Sequence, residues 1–312
     1  AQQDSIMTEL SGIIAVVFII YFLIMLGIGW LASRQTRSPL DFFLADRSLK
    51  AWVTAISSTA SSESAWAVLG TVGLSYTEGL SAIWFLPGCL MGYLINWFFI
   101  AEKIRKQSKE IKAVTLSDYI ENHFNDEKHV LRLISVVIIF SCMMAYVGAQ
   151  LTAIGKTFDA IFGVPHILSI SVGGMLVLGY TMMGGVRAVA WTDLIQGIIM
   201  IGTLTILPIV GFIELSGYNY QGSILDLSKL YNNRTGIAAF SLALGGLSWG
   251  LGYMGQPHLI ARYMAIDESK NIKISRKKSN FYPSLLLTDL LLLVVFFTQF
   301  AHVVHLCGFF LR

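Results

Sequence analysis

Apolar runs about twenty residues long recur along the whole chain of 312 residues, separated by short stretches that hold most of its charge. An α-helix of that length crosses the hydrocarbon core of a bilayer. Eight such spans can be drawn, over residues 10–33, 51–75, 80–101, 130–158, 167–183, 189–213, 236–258 and 282–308. The pattern lacks the alternation of a strand, and no glycine-rich phosphate loop or nucleophile elbow interrupts it. It predicts an all-α membrane protein, since only helices and closed barrels satisfy their backbone in lipid. The first span is too long, and too poor in basic residues at its start, for a signal peptide.

The polar positions inside these runs carry the chemistry. The span at 51–75 holds Ser57, Ser58, Thr59, Ser61, Ser62 and Ser64 around one carboxylate, Glu63. A charge at mid-membrane costs about 2.5–3.5 kcal/mol on insertion scales, so it faces a protein interior or a watery path. Clustered hydroxyls compete for backbone carbonyls and loosen a helix. The expectation is a helix interrupted between about Ser58 and Ser64, with carbonyls turned inward to hold a cation. Close helix packing would also use small hydroxyl residues, but packing has no need of Glu63.

A second interruption is expected at 247–257, where Gly250, Gly252, Gly255 and Pro257 bend or break the helix. Trp249 and Tyr253, four residues apart, share one face beside it. They either wall a pocket for a small amphipathic solute, its ammonium group included, or serve as plain interface anchors. The third feature is the glycine turn at Gly184 and Gly185, followed by a span that opens near Asp193. A carboxylate near a helix N-terminus suits a cap as well as an ion path. His302 and His305 share a helix face, but no Glu or third His stands near them, so no metal or haem site is expected there.

Composition and charge sharpen the picture. Hydrophobic residues make up 55% of the chain and charged ones 13%, against about 25% charged in soluble domains. With the N-terminus outside, 18 of the 22 Lys and Arg residues fall in inner loops, around 34–50, 102–132, 184–188 and 259–279. That bias sets the orientation. The basic loops are read as topology signals, with no nucleic-acid role. Cys89, Cys142 and Cys307 lie inside apolar spans and offer neither a disulfide framework nor metal-ligand spacing.

Four segments carry a resemblance to a known family. Gly179 to Gln196, with Gly184-Gly-Val-Arg-Ala-Val-Ala-Trp-Thr-Asp193 at its centre, resembles the signature of the sodium:solute symporter family. Trp249 to His258 with Ala261 to Ala265, Ala60 to Trp66, and Tyr146 to Leu151 are similar to its sodium/proline branch. The likeness is collinear from about residue 10 to about residue 276. It implies a leucine-transporter-type inverted-repeat fold, incomplete here, in one transmembrane domain over 1–312. Residues 10–33 would form an extra N-terminal helix, 51–213 a first repeat of five helices, 236–276 the start of a second repeat and 277–312 a divergent apolar tail.

The resemblance also implies roles. Sodium would be held by the carbonyls of Ala60 and Glu63, with Ser62 and Ser64 beside them and Asp193 on its path. Trp66, Gln150, Trp249, Tyr253 and Pro257 would lie on the substrate side. The implied function is sodium-coupled symport of a small zwitterion, proline foremost, by a multi-pass protein of the plasma membrane (the bacterial inner membrane). Its partners would be that solute, the sodium ion and the lipid bilayer, and it would not be an enzyme. The family pattern continues through further helices, whereas here the likeness lapses from about Lys277. The chain therefore reads as a truncated form, or as one whose missing helices a membrane partner supplies. The alternative is a non-transporting membrane module that binds or regulates a full-length partner. Alone, the chain is not expected to drive sodium-dependent uptake, because two carbonyls leave the ion's shell incomplete.

Overall fold

The computed structural model of the protein describes residues 2–62, 64–65, 69–216, 230–231 and 233–267. In chain order the helices are α1 (Gln2–Ser33), α2 (Pro39–Leu44), α3 (Ala51–Ser62), α4 (Thr71–Glu78), α5 (Phe85–Ile95), α6 (Ala101–Glu110), α7 (Leu116–Phe124), α8 (Val130–Phe162), α9 (His166–Ser216), α10 (Gly236–Tyr253) and α11 (Pro257–Met264). A 3₁₀ turn over Gly79–Trp84 leads into α5, and a π turn over Asn96–Ile100 joins α5 to α6. Among the described residues, five stretches are long and apolar enough to cross a membrane: Gly12–Ser33, Ser81–Glu110, Val130–Phe162, His166–Met200 and Gly236–Tyr253. The span expected at 282–308 lies outside the described residues.

The structure keeps one expectation and extends another. The spans drawn at 167–183 and 189–213 are two helical segments that meet at a kink at Gly185, described together as α9. The span drawn at 80–101 continues as helix to Glu110, because the π turn carries the backbone hydrogen bonding past Asn96. Large apolar side chains on α8 and α9, such as Ile138, Phe140, Met175 and Met182, are exposed. Such faces are costly in water and suit acyl chains.

The chain divides into two compact units, Ala1–Leu49 with Ile111–Asp193, and Lys50–Glu110 with Leu194–Arg312. In the first, Phe18 of α1 meets Phe158 and Phe162 of α8 at ring-centroid distances of 5.2 and 6.0 Å. Gly29 lets α1 approach α9 so closely that a Cβ there would come 2.8 Å from the Tyr180 Cβ. The segment after α1 is built for turning. Ser38 caps α2, accepting from the Asp41 N–H at 3.1 Å, and Pro39 takes the first helical position. Ala45, Asp46 and Arg47 then follow at positive φ. This segment grips the turn inside α9: Arg187 donates to Gln35 Oε1 at 2.9 Å and to the Ala45 carbonyl at 3.2 Å, and the Thr36 hydroxyl donates to the Gly184 carbonyl at 3.3 Å. Gly185 sits at φ 56 and ψ −148, a region essentially reserved for glycine, with Phe42 directly against it.

In the second unit, α5 and α10 touch backbone to backbone. A Cβ on Gly88 would meet the Leu247 carbonyl oxygen at 2.8 Å, one on Gly92 the Gly250 Cα at 2.9 Å, and one on Gly246 the Trp84 Cβ at 2.6 Å. Small residues give membrane helices this approach. Two buried arginines hold α11. Arg105 of α6 donates to the carbonyls of Ile266 and Asp267, the latter at 2.7 Å. Arg262 of α11 donates to Ser57 Oγ on α3 at 2.8 Å and to the His258 carbonyl at 2.7 Å. The carbonyls of Ile266 and Asp267 lie just beyond the C-terminus of α11, where no intrahelical donor reaches, and the Arg105 guanidinium meets both that need and the helix dipole.

Candidate functional site

The first element of the site is the end of α3. Its hydroxyls turn back on the helix that carries them: Ser58 Oγ and Thr59 Oγ1 both donate to the Ala55 carbonyl at 3.0 Å, and Ser62 Oγ donates to the Thr59 carbonyl at 2.7 Å. Hydroxyls bound to preceding carbonyls weaken and bend a helix. Here α3 stops at Ser62, and the Ser64 N–H bonds to the Ser62 carbonyl at 3.0 Å instead of a carbonyl four residues back. The next α-helix begins at Thr71. Ala60, Ser62 and Ser64 thus lie on either side of a break within one apolar stretch. Ala60 packs toward Gly197 of α9, where a Cβ would stand 3.5 Å from the Ala60 Cβ. Glu63 and Trp66 lie outside the described residues.

The second element is another break. α10 ends at Tyr253, the chain passes through Met254, Gly255 and Gln256, and α11 starts on Pro257. Proline at a first helical position has no N–H to lose and presets φ, which makes a clean restart. Trp249 and Tyr253 do share a face, and it lies on α5: the Trp249 ring meets Phe85 edge-on at 5.2 Å, and the Tyr253 ring meets Tyr93 at 4.8 Å. Tyr253 is buried, whereas Trp249 keeps 42% of its surface exposed.

Gln150 and Asp193 belong to the first unit. Gln150 is half-buried on α8. Asp193 is buried and stands eight residues past Gly185, about two helical turns. That is deeper than the sequence suggested and beyond the reach of a helix cap, which serves only the first turn. The helix resumes directly after Gly185 and not near 189, which is why the depth differs.

Two residues that shape these breaks drew no role from the sequence: Arg262, which ties α11 to Ser57 of α3, and Asn96, which donates its amide to the Tyr253 carbonyl at 2.8 Å. A polar residue inside the span at 80–101 was the one available signal for Asn96. Arg262 stands in the Ala261 to Ala265 segment and beside a basic inner loop, and neither signal points to its contact with α3. His302 and His305 lie outside the described residues.

Among the described residues, five stretches long and apolar enough to cross a membrane, with helices interrupted within apolar spans, define the architecture of a multi-pass membrane protein. The chain belongs to the sodium:solute symporter family, whose pattern matches residues 42–308. That is a family of transporters, not of enzymes. The match runs on past Lys277, so the family pattern continues into the tail where the sequence reading had it lapse. The chain is 35% identical over 257 residues to the high-affinity proline transporter PutP of Bacillus subtilis (strain 168), covering 81% of this chain and 54% of that protein. It is 34% identical over 260 residues to the sodium/proline symporter of Staphylococcus aureus (strain JH9), covering 83% of this chain and 51% of that one. The chain spans about half the length of these curated relatives. Its fold is similar to that of a Na+-coupled sialic acid symporter solved in a substrate-bound outward-open state, with a TM-score of 0.71 at 18% identity, over 92% of this chain and 58% of that chain. This is the leucine-transporter-type fold.

Proposed function

We propose that the protein works as a sodium-coupled symporter of a small zwitterionic solute, with proline the first candidate. The observation that carries the proposal is the break at the end of α3, where α3 stops at Ser62 and hydroxyls gather within an apolar stretch. Sodium is a hard cation that takes oxygen ligands, and the carbonyls of Ala60 and Glu63 with the hydroxyls of Ser62 and Ser64 form a donor set of that kind. Asp193, a buried carboxylate, serves on the path of the ion. Trp66, Gln150, Trp249, Tyr253 and Pro257 serve the solute, with Trp249 offering a partly exposed aromatic face to an ammonium group. The names of the two relatives direct the choice toward proline.

The test is uptake of labelled proline by the protein at its natural length, in a bacterial host lacking its own proline uptake. Accumulation that needs an inward sodium gradient, and that stops when the gradient is collapsed, is the expected result. Absence of both sodium-dependent uptake and sodium-dependent proline binding overturns the proposal. An effect seen only on co-expression with a full-length relative favours the non-transporting module instead.

A further inference from the structure

The break between α10 and α11 is held from outside by two consecutive residues of the π turn. Gly88, Gly92 and Asn96 are spaced four residues apart and so follow one face of the α5 segment. The first two lie against the backbone of α10 at Leu247 and Gly250. The third, on the same line, reaches the last residue of α10 and donates its amide to the Tyr253 carbonyl at 2.8 Å. Asn96 is fully buried. The next residue, Trp97, turns to the other side of the break and meets the Tyr263 ring of α11 edge-on at 5.0 Å. A regular α-helix places neighbouring side chains 100° apart, and the wider π turn re-aims them at such a point. The carbonyl of Tyr253 has lost its α-helical donor because α10 stops there, and a buried carbonyl left without one is costly.

We propose that Asn96 is a positioning residue for the solute site: it fixes the end of α10, and with Trp97 it sets the angle at which α10 hands over to α11. This rests on the reading that Trp249, Tyr253 and Pro257 serve the solute. The geometry of the break does not depend on that reading, so the two can fail separately.

The experiment uses the purified chain with Cys89, Cys142 and Cys307 replaced and a reporter cysteine at the half-buried Gln256→Cys. The rate of its reaction with a maleimide is read in Asn96, Asn96→Leu and Asn96→Ser backgrounds. Asn96→Leu removes the donor at similar size, and Asn96→Ser keeps a shorter donor. The expected result is labelling faster by about tenfold in Asn96→Leu, as suits one lost buried hydrogen bond, with Asn96→Ser in between. Labelling at the unsubstituted rate in both variants overturns the proposal. If Asn96→Leu does not fold, the Asn96→Ser rate decides alone. In the uptake assay, the proposal expects the apparent KM for solute to rise by a similar factor in Asn96→Ser. Faster labelling with an unchanged KM would keep the pin at the break and remove its link to the solute.

Discussion

Ser62 and Ser64 flank the break after α3 and carry the proposed ion chemistry. Replacing either by alanine is expected to raise the sodium concentration for half-maximal uptake by about tenfold, whereas Ser61→Ala, outside the proposed ion set, is expected to move it little. Sodium titration of uptake reads the difference, and equal effects at all three positions would count against the assignment. Arg105 gives a prediction about stability. Arg105→Ala leaves the carbonyls of Ile266 and Asp267 without their donor, at a cost of about 1–3 kcal/mol. Arg105→Lys is expected to recover little of it, because an ammonium cannot present a fork of two aligned donors. Thermal unfolding in detergent measures both variants. The α3 break was legible in the sequence because its cause is local: the hydroxyls of Ser58, Thr59 and Ser62 find carbonyls three or four residues back. The arginine contacts were not legible, since a basic residue in an inner loop looks the same whether it sits in water or is buried against a helix end from another part of the chain.

Among the elements, α9 shows most clearly what local pattern leaves open. The glycine pair at 184 and 185 announced a turn, and a turn is there. What the pattern did not say is that the helix would restart at once, which carries Asp193 two turns into the second half. Gly185→Ala tests the joint. Its φ and ψ suit glycine alone, and an added Cβ would press on the Phe42 backbone. A cost of about 1–3 kcal/mol for the strained backbone, with the clash added to it, should show as a large loss of folded protein by size-exclusion chromatography. Retention of a normal yield and melting temperature would mean that the kink relaxes without difficulty.

The whole molecule carries an orientation in its charges. With the N-terminus outside, Lys106, exposed on α6, faces inward, and Asn233, exposed before α10, faces outward. In a background without native cysteines, Lys106→Cys should react with a membrane-impermeant maleimide only in inverted vesicles, and Asn233→Cys only in right-side-out ones. The reverse pattern would overturn the topology. If sodium binds the folded protein, unfolding should also shift upward in sodium chloride relative to potassium chloride, by about 2.7 kcal/mol at a hundredfold excess over Kd. The fold was legible at this scale because apolar run length and loop charge are whole-chain signals. The pairing of α5 with α10 was not, because a glycine in a membrane span says that something comes close and not which partner it is.

That pairing has a consequence for heredity. Where Gly88, Gly92, Gly246 and Gly250 meet, even a methyl group has nowhere to go. Every amino acid that a single base change can put in place of glycine brings at least that methyl. A genetic library of this protein selected for growth on its solute should therefore come back blank at these four codons, while exposed apolar positions of α8, such as Val137, fill with other apolar residues.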